Sequence, residues 1–271
     1  VVVPPPALSS APLRLIQLTD SHLGPQPGGK LLTMDTDHSL NAVVERVRRE
    51  QPLADLLLAT GDLTDSGSES AYRRFLKMTA GLARRTRCLP GNHDDAERLY
   101  ALLAGDERGE RVTLLGDWLV VTLDTSVPHE VGGYLRESEL TLLTDALTRY
   151  PQHHVLVALH HPLLSVDTAW IDSQRVANAD AFWAAVAPFP QLRAVVGGHV
   201  HMDTDVIHRG VRVLTSPSTC IQFAPGSDEF RLDDQPPGYR WLDLHPDGRI
   251  DTAVSRADDI AFTVDMAASG Y

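Results

Sequence analysis

Five short runs, residues 13–19, 55–60, 118–123, 155–159 and 193–196, constrain this 271-residue chain more than any other feature. They are apolar almost throughout. A run of that length without alternation suits a strand covered on both faces, as in a parallel sheet flanked by other layers. The segments between them carry a helical period. Leu40, Val43, Val44 and Val47 recur at three and four over 38–50, Tyr72, Phe75, Leu76 and Thr79 over 68–82, and Leu140, Leu143 and Leu147 over 138–150. Each stripe predicts a helix laid on a sheet. From residue 206 the character changes. Short strands are expected at 206–208, 211–215, 239–245 and 249–255, with turns at His208-Arg209-Gly210 and Pro246-Asp247-Gly248. Segments 165–178 and 225–238 read as long loops. The pattern predicts an α/β fold with a second, more antiparallel sheet added late. Nothing resembles an interdomain linker, so residues 1–271 are expected to form a single domain.

Five polar clusters stand out, each directly after a strand. They are Thr19-Asp20-Ser21-His22, Thr60-Gly61-Asp62-Leu63-Thr64-Asp65, Pro90-Gly91-Asn92-His93-Asp94, Leu159-His160-His161-Pro162 and Gly197-Gly198-His199-Val200-His201. Loops at the carboxyl ends of strands gather into sites in α/β sheets. Here they deliver Asp, His and Asn, the ligands that suit Mn, Fe, Zn or Co. No Cys joins them, which argues against a structural zinc site. Asp20 with His22, and His199 with His201, are spaced to face one metal from a turn. The glycines before Asp62, Asn92 and His199 let backbone approach closely. Asp62 has two oxygens and can bridge two cations, while Asn92 offers a neutral oxygen. The remaining histidines, His38, His129, His153, His154, His208 and His245, lack such context and read as surface or local hydrogen-bonding groups.

Charge and cysteine usage exclude other classes. Asp and Glu number 36 against 24 Lys and Arg, a formal charge of −12. That disfavours nucleic acid and anionic membranes as partners, since both want a basic face. It does not oppose a small anionic substrate, because bound divalent metals reverse the field locally. Cys88 and Cys220 lie far apart without CxxC spacing and read as reduced thiols of a cytoplasmic protein. No apolar run approaches the ~18 residues of a membrane span. Residues 1–6 show neither a basic start nor a signal-length apolar stretch. The chain begins at Val rather than Met, which leaves open whether residues precede Val1.

The ordered set Asp-x-His, Gly-Asp, Gly-Asn-His-Asp, His and Gly-His-x-His, from Asp20 to His201, resembles the calcineurin-like metallophosphoesterases. The resemblance implies a four-layer α/β/β/α sandwich of the metallophosphoesterase type with two divalent metal ions per chain. Fe or Mn are the first expectation, and Zn or Co also suit the ligands. Asp20, His22, Asp62 and His201 would hold one ion. Asp62, Asn92, His160 and His199 would hold the other, with Asp62 bridging. His160 is preferred to His161 because the family's ligand lies two positions before the Pro. Asn92 and His93 are the expected catalytic residues, and Asn92, His93, His22 and His201 the expected substrate contacts. Segments 214–223, 237–240 and 268–271, with the Trp170-Ile171-Asp172 loop leading to Asn178, look like those of bacterial class III cyclic-nucleotide phosphodiesterases. The implied reaction is hydrolysis of 3′,5′-cyclic AMP to 5′-AMP by a metal-bridging hydroxide. His93 would serve as general acid, with Asp65 or Asp94 as its acidic partner. The expected partner is thus a small molecule, and the expected state a monomer or homodimer. The competing expectations are a broader metallophosphodiesterase, such as a glycerophosphodiesterase, and a non-catalytic scaffold on the same fold. Trp170, Phe223, Tyr239 and Trp241 are candidates to stack on a purine. Segment 216–223 and the Trp170 loop are expected to shape the nucleotide pocket rather than the metal site.

Overall fold

The computed structural model describes residues 11–270. The start at 1–6 and the final Tyr271, both used in the sequence reading, lie outside these residues. Eleven strands build two mixed sheets. The first sheet contains β1 (Leu13–Leu18), β2 (Ala54–Thr60) and β3 (Ala83–Leu89), all parallel. The second contains β4 (Val112–Leu115), β5 (Trp118–Thr122), β6 (His154–Ala158), β7 (Leu192–Gly197), β8 (Thr204–His208) and β9 (Val211–Thr215), of which β5, β6, β7 and β9 run parallel. The late strands β10 (Gly238–Leu244) and β11 (Ile250–Arg256) return to the first sheet. Its order is β11-β10-β1-β2-β3, and that of the second is β8-β9-β7-β6-β5-β4.

The expectation of a separate late sheet is therefore corrected. β10 pairs antiparallel with β1, Leu13 facing Leu244, whereas β8 and β9 extend the other sheet from β7. Each sheet has an open edge beside a parallel strand, and the late antiparallel hairpins fill one each.

Three apolar clusters define the layers. Between the sheets lie Leu15, Leu56, Leu58, Trp118, Leu156, Val196, Leu214 and Leu242. Outside the first sheet pack α1 (Thr36–Glu50), α2 (Glu69–Met78) and α3 (Ala96–Leu102), through Leu40, Val43, Val44, Val47, Tyr72, Phe75 and Leu99. Outside the second pack α4 (Glu137–Arg149) and α5 (Ala179–Val186), through Leu143, Leu147, Phe182 and Trp183. The result is the expected α/β/β/α order. The helix starts have local causes. Asp35 caps α1 by accepting from the His38 N–H at 2.9 Å, and Arg48 and Arg49 sit in its last turn, where cations suit the dipole. α2 stops at Met78, short of the stripe's end, because Gly81 turns the chain with a φ of +79° into β3.

Segment 165–178 is a loop interrupted by one helical turn, Ala169–Asp172. Segment 225–238 holds the two-residue strand Leu232–Asp233, paired with Gln222–Phe223. Both lie over the carboxyl ends of the parallel strands, where a fourth apolar cluster joins Ile171, Met202, Ile221 and Phe223. Among the described residues no helix is long and apolar enough to cross a membrane.

Candidate metal centre

β1, β2, β3, β6 and β7 each end immediately before one of the five clusters, so parallel pairing brings all five to one end of the sandwich. The loops lock to one another through backbone. The Asp20 N–H donates to the Gly61 carbonyl at 3.0 Å, and the His22 N–H to the Asp62 carbonyl at 2.9 Å. The Gly198 N–H donates to the His160 carbonyl at 3.0 Å. Five side chains of the set sit on left-handed backbone: Asp20, His22, Asp62, His199 and His201 have φ of 56°, 45°, 49°, 68° and 48°. Non-glycine residues in this region cost about 1–3 kcal/mol each and persist where the surroundings over-determine them.

The side chains converge in two groups. His22 Nε2 lies 3.3 Å from His201 Nε2, which lies 3.3 Å from Asp20 Oδ1. On the other side, His160 Nε2 and His199 Nδ1 both meet Asn92 Oδ1, at 3.1 and 3.0 Å. Asp62 stands between them. Its Oδ2 is 3.2 Å from His160 Nε2 and 3.8 Å from His22 Nε2, while its Oδ1 accepts the His93 N–H at 2.8 Å.

Neighbouring groups set which atom each ligand presents. His160 Nδ1 donates to the Thr60 carbonyl and His201 Nδ1 to the Ile221 carbonyl, both at 2.8 Å, so each offers Nε2 inward. Asp20 is held by the His199 N–H at 3.1 Å and by the Thr19 hydroxyl at 2.6 Å. His161 is different. Its Nδ1 accepts from the Thr125 hydroxyl at 2.8 Å and its Nε2 donates to the Val131 carbonyl at 3.0 Å, so both nitrogens are already hydrogen-bonded, although one of them lies within 4.8 Å of ligand atoms of His160 and His199.

The electrostatics suit cations. Burial opposes charge on the carboxylates, yet His201 and His160 hold Asp20 low, and His160 and His93 hold Asp62 well below the usual carboxylate range. Burial and the His93 neighbour push His22 down to about 3, and burial with His161 keeps His199 neutral. On His160 burial works against a proton, but the Asp62 carboxylate outweighs it and holds the ring up at about 9. The Asp62 carboxylate that favours a proton on His160 would equally favour a cation beside it.

Several features fit the residues to bound metal. The donor set is carboxylate, imidazole and amide oxygen. His199 Nε2 is buried without a hydrogen-bond partner. The glycines close the cradle, since a Cβ on Gly91 would collide with Asp62 Oδ1, and one on Gly198 with Thr19 Oγ1 and Asp20 Oδ2. Triads of buried ligand atoms recur as Asp20-His22-His201, Asp20-Asp62-His160 and His160-His161-His199, the last including a His161 already hydrogen-bonded through both nitrogens.

A cavity of about 320 Å³ opens on the cluster. Its lining combines Asp62, Asn92, His93 and His199 of the cluster with Val131, Trp170, Ile171, Gln174, Phe223, Phe230 and Gly270. His22 and His201 are buried and are not among the residues that line this cavity. His93 Nδ1 donates to the Asp65 carbonyl at 3.2 Å, with the Asp65 carboxylate at 3.7 Å. Asp94 is not its partner. Asp94 instead accepts the N–H groups of Gly91, Leu63 and Thr64 at 3.0–3.1 Å, stapling the second cluster to the third.

Of the four aromatic candidates, Trp170 and Phe223 reach the cavity. Tyr239 is fully buried under α1, its hydroxyl on Glu50 and Gln51 at 2.8 Å, and Trp241 carries the Arg14 guanidinium 4.6 Å from its ring centre. Segment 216–223 does more than shape the pocket. The Ser218 hydroxyl donates to the Asp20 carbonyl at 2.7 Å, and Phe223 stacks on His201 at 4.1 Å and 6°. It therefore supports the ligand loops as well. Gln17, wholly buried, was hidden from sequence reasoning. Its amide donates to Thr60 Oγ1 and the Gly197 carbonyl, and its oxygen accepts from Ser216, joining three ligand-bearing segments. A lone polar residue late in an apolar strand was the available signal.

The family model for calcineurin-like phosphoesterases matches residues 13–203. The chain belongs to this family. It is 46% identical over 263 residues to a 3′,5′-cyclic adenosine monophosphate phosphodiesterase, CpdA, of Pseudomonas aeruginosa, covering 97% of both chains. It is 40% identical over 266 residues to the protein of that name from Vibrio vulnificus, again over 97% of each. Among solved structures it is similar to a dimetal phosphatase from Danio rerio, with TM-score 0.64, 15% identity and coverage of 92% of this chain and all of that one. The four-layer sandwich is thus the metallophosphoesterase fold, and the His/Asp cluster is compatible with the family's dinuclear centre.

Proposed function

We propose that this chain hydrolyses 3′,5′-cyclic AMP to 5′-AMP. The carrying observation is the cavity that runs from the Asp/His cluster to an aromatic wall, in a chain aligned over 97% of its length with a named cyclic AMP phosphodiesterase. A cyclic nucleotide has the same polarity, an anion at one end and a flat purine at the other. Asp20, His22, Asp62 and His201 would hold one divalent ion, and Asp62, Asn92, His160 and His199 a second, with Fe or Mn the expected metals. Two such ions supply Lewis-acid charge at the phosphoryl oxygens and activate water.

The chain's own residues orient and protonate. Asn92 and His93 border the cavity beside Asp62, within reach of a phosphate placed there. The Asp65 carbonyl takes His93 Nδ1–H, which orients the ring beside the cavity. His93 is the group that donates a proton to the departing 3′ oxygen, a role worth ~10²–10⁴ in rate for an alkoxide leaving group. The two thiols, Cys88 and Cys220, are buried and pushed up to about 12 by that burial, which suits a reducing, cytoplasmic setting.

Initial rates on 3′,5′-cyclic AMP, 3′,5′-cyclic GMP, 2′,3′-cyclic AMP and glycerophosphodiesters, with metals quantified in the same preparation, test this reading. The expected result is two ions per chain and cyclic AMP as the best substrate. A preference for glycerophosphodiesters would overturn it.

A further inference from the structure

We infer that Gln174 and Trp170 form the part of the site that reads the base, and that they select adenine over guanine. The inference rests on the cyclic-nucleotide reading above. A phosphate held at the Asp/His cluster leaves the base to the other lining side chains, among them Trp170, Ile171, Gln174, Phe223 and Phe230. Three of these form an aromatic wall. Trp170 meets Phe223 edge-on at 4.9 Å and Phe230 at 5.2 Å, and Phe223 is fixed from behind by its stack on His201. Such a wall binds any purine and discriminates none.

Discrimination needs polar groups, and two are available. Trp170 Nε1 is buried with no hydrogen-bond partner among the described residues, a donor whose burial is costly unless something accepts from it. The Gln174 side chain lines the same cavity, and its amide has no partner among the described residues. An amide matches adenine on two points, accepting from N6 and donating to N7. On guanine the same edge shows two acceptors, O6 and N7, and an amide satisfies one of them. An indole N–H adds to the bias. It can donate to adenine N1, whereas guanine presents a donor N1–H there.

Guanine recognition asks for a carboxylate facing N1–H and N2–H, and among the described residues outside the metal cluster none lines the cavity. Asp62, the one acid among the described lining residues, belongs to that cluster. Asp172, next to Ile171, is spent on the loop itself. It accepts from the Ser165 hydroxyl at 2.6 Å, the Val166 N–H at 2.8 Å and the Thr168 N–H at 3.2 Å.

The test compares kcat/KM on cyclic AMP, cyclic GMP and bis(p-nitrophenyl) phosphate, which has no base, for wild type, Gln174→Ala, Gln174→Glu and Trp170→Phe. Gln174→Ala should lower the cyclic AMP value about tenfold or more, the loss of a bidentate base contact, and leave the aryl ester nearly unchanged. Gln174→Glu should raise cyclic GMP relative to cyclic AMP. Trp170→Phe keeps the ring and loses the donor, so the cyclic AMP to cyclic GMP ratio should fall. An unchanged ratio in all three variants overturns the inference while leaving the phosphodiesterase reading intact. Equal losses on all three substrates assign the two residues a packing role and overturn it too. Wild type that cleaves the aryl ester and neither cyclic nucleotide overturns both.

Discussion

His160 and His161 are neighbours in sequence, equally buried and of the same chemistry, yet the structure gives them opposite roles, and that contrast can be measured. His161→Phe preserves an aromatic ring against His160 and His199, whose centres lie 4.8 and 4.7 Å away, and removes both hydrogen bonds. Thr125 is wholly buried and its hydroxyl still accepts the backbone N–H of residue 161, but its hydrogen loses its acceptor, which costs about 1–3 kcal/mol. Val131 is 52% exposed and its carbonyl can turn to water, which adds about 0.5–1 kcal/mol at most. The sum, about 1.5–4 kcal/mol, corresponds to a fall in Tm of roughly 3–7 °C for a chain of this size, at ~2.1 cal/mol/K of unfolding entropy per residue. Metal content should remain two ions, because both nitrogens of His161 are taken by Thr125 and Val131. His160→Ala should do the reverse and lose one ion. The assay is elemental analysis of each purified variant beside a thermal melt. An ion missing from His161→Phe, or both retained in His160→Ala, would refute the assignment.

Asp62→Ala should be the most damaging ligand change, since Asp62 stands between the two groups at 3.2 and 3.8 Å from His160 and His22; full occupancy at both positions by elemental analysis would remove its bridging role. His93→Ala should slow cyclic AMP hydrolysis by ~10²–10⁴ but a p-nitrophenyl diester far less, because phenolate leaves without a proton; similar losses on both would show that His93 only orients the phosphate. Metal uptake should release a proton. His160 is held at about 9 in the metal-free protein, so it is charged at pH 7 and must become neutral to ligate. Apparent affinity should therefore rise with pH between 7 and 9, by about tenfold per unit for one proton, and flatten above 9. Calorimetry in buffers of different ionisation enthalpy reads the proton directly, and a buffer-independent heat at pH 7 would count against it.

The parts of this molecule that were legible in its sequence share a physical cause. Doubly covered parallel strands must be apolar, so β1, β2, β5, β6 and β7 announce themselves, and ligands must be Asp, His or Asn, so the loops after them do too. β3 breaks the first rule. Its Ala83–Leu89 carries Arg84, Arg85 and Arg87, and Arg87 is almost fully buried only because Glu110 at 2.6 Å and Thr113 at 2.7 Å take its guanidinium. Those partners lie over twenty residues away, beyond any local pattern. The same holds for the late strands, whose periodicity is visible but whose sheet is decided by which edge lies open. Tyr239 reads equally as a pocket aromatic or a core one, and only α1 packed over it decides.

The site shows the sharpest form of this limit. Its ligand identities follow from chemistry, but their placement depends on backbone that no side-chain pattern reports. Asp20 and His22 take left-handed φ values while their N–H groups bond to the carbonyls of Gly61 and Asp62, a residue itself at φ 49°. Each loop thus holds the other in a conformation that neither would favour alone. The glycine before Asn92 is needed because Asp62 leaves no room for a Cβ, and Asp94 then binds three backbone N–H groups from both loops. A motif of this kind is legible as a set of residues because the chemistry demands each type. It works as a site because strand order and loop-to-loop hydrogen bonds, both long-range, bring those types within about 3–4 Å of one another.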